Sequence, residues 1–112
     1  MHIPDGFLSI EVAAFTYAAT VIFWIIGFRG VRRVADERHI PLMALLTAMF
    51  FAAQMMNYPI IGGTTAHLLG GPILALTLGP YAGLVSMTVI LLLQALLFGD
   101  GGLTTLGANV LN

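Results

Sequence analysis

The chain contains no cysteine. Disulfides and thiolate metal sites are therefore excluded, and any metal must be held by nitrogen or oxygen. Charge is almost as scarce. Only 8% of the 112 residues are Asp, Glu, Lys or Arg, against about 25% in soluble domains. With 59% hydrophobic residues and a mean hydropathy of +0.99, the composition is that of a membrane protein. No basic tract of the kind that grips nucleic acid occurs. No Lys or Arg precedes the first apolar run, and that run outlasts the roughly 7–15 residues of a signal-peptide core. A cleaved leader is therefore not expected.

What the chain does have begins at its first residues, Met1-His2-Ile3-Pro4-Asp5-Gly6. The α-amine of Met1 and the amide nitrogen of His2 close a five-membered ring on a metal. That same amide nitrogen and the near ring nitrogen of His2 close a six-membered ring. Three nitrogens then lie in one plane with the fourth position open, a square-planar arrangement that suits Ni(II) or Cu(II). Pro4 stiffens the chain just beyond the chelator, and Asp5-Gly6 turns it.

Hydropathy predicts an all-α, polytopic transmembrane bundle of about four spans. The first runs from about Ser9 to Phe28, with Ser9 as N-cap and Glu11 in the first turn. Ala14 and Ala18 lie four apart on it and offer a smooth face to another helix. All four basic residues follow, between Arg29 and Arg38. Excess positive charge marks the cytoplasmic side, so the N-terminus is expected outside, and His39 falls on the wrong side to join it. The second span is about Pro41 to Asn57, and its methionines read as packing. A loop with two Gly-Gly pairs and two prolines, Tyr58 to Pro72, returns to the outer face. It carries His67, the other histidine on the side of the open chelate. A short third span, His67 to Leu78, and a fourth, Pro80 to Phe98, complete the set. Gly79 and Gly83 form a weak GxxxG pair. Asp100-Gly101-Gly102 reads as a turn, with a gate or outer ligand at Asp100 as the functional alternative.

MHIPDGFL, NYPIIGGTTAHLLGG and QALLFGDGGLTTLGANVLN together resemble the cobalt/nickel substrate-binding membrane components, CbiM/NikM type, of energy-coupling-factor transporters. The similarity covers essentially the whole chain, with Tyr58 and Thr65 as mild departures. It implies that Met1, His2 and His67 hold the ion, a role for His67 that the family pattern supplies. Asn57, Thr64 and Thr65 are candidate hydrogen-bond partners around it. It also implies no catalysis by this chain and no catalytic cofactor, Ni(II) or Co(II) being cargo. ATP hydrolysis would rest on separate ATPase subunits. Ala14 and Ala18 would dock the transmembrane coupling subunit, with a small accessory membrane subunit as a further partner. The expected setting is the inner membrane of a prokaryote. Because the family continues beyond these motifs, residues 1–112 are expected to be one metal-binding domain, truncated at its C-terminus. Two other readings stand beside this one. A structural subunit of a respiratory or oxidoreductase complex would have no metal affinity. An intramembrane enzyme would use His67 as a base. Nickel and cobalt are not distinguished.

Overall fold

The computed structural model describes residues 2–61 and 64–112, leaving aside the side chains of 64 and 65. It is helical throughout, apart from one small hairpin. α1 (Ile10–Val34) starts where Ser9 turns its hydroxyl onto the Val12 N–H at 3.4 Å. Glu11 sits in its first turn and Arg32 and Arg33 in its last, matching the helix dipole at both ends. The helix thus runs a turn and a half past the expected end of the first span. Most of the predicted basic loop is helical, and only Ala35 to Arg38 connects to α2 (His39–Gln54). Asp36 starts that second helix by accepting the N–H groups of Arg38 at 3.0 Å and His39 at 2.7 Å.

α1 has its polarity reversed relative to a soluble helix. Thr20 is fully buried, as are Gly27 and Gly30, whereas Phe15 is 75% and Ile22 60% exposed. A helix facing water hides its large apolar residues; one facing lipid need not, and it packs inward on small residues. α1, with 25 residues, and the stretch Pro80–Phe98, with 19, are long and apolar enough to cross a bilayer. α2 has 16 residues and α3 (Gly71–Leu78) only 8. The third segment is therefore a half-helix reached through extended chain.

α3 turns sharply into α4 (Pro80–Leu93) at Gly79, whose φ of +88° favours glycine, with Pro80 opening the next helix. The two helices then run in close contact. A Cβ on Gly83 would lie 2.8 Å from the Ala75 backbone. Of the Gly79/Gly83 pair, Gly83 thus serves packing within the chain and Gly79 the turn. Phe50, Leu74, Leu78, Ala82 and Ile90 form the apolar core around this contact. Polar side chains tie the helices together: Trp24 to Thr88 at 2.9 Å, Thr47 to Ser86 at 2.8 Å and Thr20 to the Gly107 carbonyl at 2.8 Å. After α4 the helix widens into a π-turn (Gln94–Phe98), and α5 (Leu106–Leu111) ends the chain. Between α2 and α3, β1 (Tyr58–Ile60) pairs antiparallel with β2 (Thr64–Ala66), Tyr58 opposite Ala66. This hairpin stands where irregular backbone was expected.

Candidate metal centre

The N-terminal segment is strapped across the far end of the chain. Ile3 donates its N–H to Asn109 Oδ1 at 2.8 Å, and its carbonyl accepts from Asn109 Nδ2 at 3.1 Å and Thr105 Oγ1 at 2.5 Å. The Asp5 carboxylate accepts the Thr104 N–H at 2.8 Å, the Thr104 hydroxyl at 2.5 Å and the Leu103 N–H at 3.3 Å. Two glycines make room for this strap. Gly101, at φ +90°, lies against His2, where a Cβ would come 3.0 Å from the His2 Cβ. At Gly102 a Cβ would fall on Asp5 itself. The Asp100-Gly101-Gly102 turn is therefore a seat for the chain start as well as a turn.

The strap brings His2 against His67, their ring centroids 4.8 Å apart and tilted by 51°. His67 Nδ1 lies 3.0 Å from the Leu68 carbonyl. A carbonyl only accepts, so Nδ1 is the donor, and in the neutral ring Nε2 is then the lone-pair nitrogen. That Nε2 is buried without a partner, as is His2 Nδ1. Asp100 Oδ1 stands 3.5 Å from His2 Nδ1, with the His2 side chain only 9% exposed. Burial draws the His2 imidazole below its ordinary range. Asp100 partly opposes this, and His67 adds to it. A neutral imidazole with a free lone pair is the ligand form. Both rings open on a cavity of about 410 Å³ that Gln54, Gly70 and Met87 also line.

The other anticipated residues fall as follows. Met1 lies outside the described residues, and so do the side chains of Thr64 and Thr65, whose backbone is part of β2. Asn57 turns its amide to Asp100 Oδ2 at 3.3 Å, on the opposite carboxylate oxygen from His2. It is thus linked to the site through Asp100. Ala14 and Ala18 are exposed on α1. His39 begins α2 beyond the far end of α1, a helix about 37 Å long at 1.5 Å per residue. Among the described residues no three His, Asp or Glu side chains converge as a metal cage. Asn109 and Thr105 had not been anticipated. Their partner lies 106 and 102 residues away, and no local spacing signals such a contact.

Lipid-facing helices, an inward polar stripe and two half-buried imidazoles side by side define a membrane-embedded protein with a histidine-lined pocket. Residues 2–112 match the family model described as the cobalt uptake substrate-specific transmembrane region, and the chain belongs to this CbiM family. It is 52% identical to a fused nickel transport protein of Rhodobacter capsulatus, over all of this chain and 32% of that protein. It is 39% identical to a cobalt transport protein of Chlorobium limicola, over 97% of this chain and 44% of that one. A crystal structure of a truncated transition metal transporter superposes with a TM-score of 0.90 at 47% identity, over 98% of this chain and 51% of that one. The chain spans roughly a third to a half of the length of the curated relatives it matches.

Proposed function

We propose that this chain forms the ion-capturing part of an ATP-driven importer of the energy-coupling-factor type, taking Ni(II) or Co(II) from outside the cell. The ligands are the Met1 amine, the His2 amide nitrogen and imidazole, and the His67 imidazole. The chain is the binding component and not the enzyme. ATP hydrolysis falls to separate subunits, reached through a transmembrane coupling subunit that docks on the Ala14 and Ala18 face of α1. The exposure of both alanines supports that assignment.

The observation that carries the reading is the pairing of His2 and His67. In the chelate, the His2 ring nitrogen is trans to the amine, so a fourth ligand sits cis to it. With metal–nitrogen bonds of about 2.0 Å and square-planar angles, cis imidazole centroids fall about 4.4 Å apart and trans ones about 6.3 Å. The 4.8 Å separation is close to the cis value. Capture releases protons, since the amine and the His2 amide must both give one up.

The test is the chain start itself. Residues placed before Met1 turn its amine into a poorly coordinating amide and break the five-membered ring. Titration of Ni(II) and Co(II) into N-terminally and C-terminally tagged protein should show binding only in the latter, with equal helicity by circular dichroism. Equal affinity of both would overturn the assignment.

A further inference from the structure

A second cavity lies at the opposite end of α1, away from the imidazoles. It measures about 260 Å³ and is lined by Ile26, Arg29, Gly30, Arg33, Val34 and Tyr81. Arg29 and Arg33 are four residues apart and share one face of the helix. Gly30 is buried beside them, and the Tyr81 ring from the start of α4 packs where its Cβ would be. Tyr81 thereby becomes one wall of the cavity. Ile26 lies one helical turn deeper than the arginines. Along α1 the lining thus sets two arginines between apolar residues, Ile26 on the side of the middle of the span and Val34 at the helix end.

Among the described residues the two guanidinium groups have no ion-pair partner, the one such pair being His2 with Asp100. The nearby Asp36 is used on the N–H groups that start α2. Neighbouring apolar residues on α1 are open to the surroundings, Phe28 at 51% and the lining residue Val34 at 55% exposure.

We propose that this cavity seats the headgroup of an anionic phospholipid, with Arg29 and Arg33 on the phosphate and Ile26 and Tyr81 against the glycerol and the first acyl carbons. Guanidinium groups bind phosphate in a fork of paired hydrogen bonds. Basic pockets between transmembrane helices on the cytoplasmic side are suited to acidic headgroups. A soluble anion would satisfy the arginines but leave the apolar half of the cavity without a ligand. The inference requires that α1 cross the membrane; it does not depend on the metal reading.

The test uses the purified full chain in lipid nanodiscs or detergent, titrated with phosphatidylglycerol and with phosphatidylcholine and read by native mass spectrometry. Two double variants carry the same net charge: R29Q/R33Q inside the cavity and R32Q/R38Q outside it. Phosphatidylglycerol should bind at least about tenfold more tightly than phosphatidylcholine. At about fivefold per basic residue near a membrane surface, R29Q/R33Q should lose roughly 30-fold in affinity for it. R32Q/R38Q should lose markedly less. Equal loss in both variants would mean diffuse attraction and no seat. Equal binding of the two lipids would remove headgroup recognition. Displacement by millimolar inorganic phosphate would make this a soluble-anion site and overturn the lipid assignment. Ni(II) titration of the same preparations keeps the two proposals apart, because lipid selectivity should persist whether or not the metal binds.

Discussion

His67 holds a buried ring nitrogen with no partner, and that lone pair is where loss of a single side chain should be felt most. His67→Ala is expected to weaken Ni(II) binding by more than about hundredfold, since even groups that only orient a ligand are worth 10–100-fold. His39→Ala, beyond the other end of α1, should leave affinity unchanged; equilibrium dialysis of the two variants decides it. Asp5 supplies the pH dependence. The Thr104 hydroxyl and N–H, with the Leu103 N–H, hold its carboxyl below the ordinary range. A carboxylate with a depressed folded value favours the fold above its unfolded value of about 3.9, and the gain is lost as pH falls through the folded value. Thermal melts should therefore show the strap weakening below about pH 4. In Asp5→Asn this acid limb should flatten, with lower stability at neutral pH. Much of this site was legible in the sequence. The structure brings His2 and His67 together, as expected from the charge asymmetry of the chain and the resemblance to the family. Asn109 and Thr105 were not legible. Asp100 was read first as a turn, with a gate or outer ligand as the alternative; its neighbour His2 lies 98 residues away, beyond the reach of local spacing.

At the scale of elements, the close approach of α3 to α4 has no slack. The atoms nearest a Cβ on Gly83 are backbone atoms of Leu74 and Ala75, which cannot swing aside. Gly83→Val should cost about 1–3 kcal/mol, as overpacking does, and lower the midpoint of thermal unfolding followed by circular dichroism in detergent. Orientation is tested separately with single cysteines in place of Ser9 and Ala35, at the two ends of α1. An impermeant thiol reagent on intact cells should label Ser9→Cys and spare Ala35→Cys; the reverse pattern would put the imidazoles on the cytoplasmic side. The helices themselves were readable from hydropathy and from Gly-Pro punctuation. Their ends were less so. Arg29, Arg32 and Arg33 marked a loop by charge, yet at a helix C-terminus the same charge complements the dipole and prolongs the helix. The β1–β2 hairpin was hidden because its six residues carry neither alternation nor length enough to signal a strand.

For the whole molecule, exposed apolar surface is the dominant property. Side chains such as Phe7, Ile10, Phe15 and Leu76 are at least three-quarters exposed, a state that water does not tolerate in such number. The chain should remain in the membrane pellet after alkaline carbonate extraction and enter solution only with detergent; release by carbonate would contradict a bilayer-spanning bundle. The strap between Ile3 and Asn109 bears on how such a molecule is made. Its two halves are separated by 106 residues, and ribosomes add about 5–20 residues each second. The first residues must therefore wait roughly 5–20 s for Asn109 to be made. Until then His2 has no seat, and a nascent chain displays two separate histidines in place of a paired site. Pairing of the two imidazoles therefore waits on the synthesis of Asn109, whatever the first span does before then.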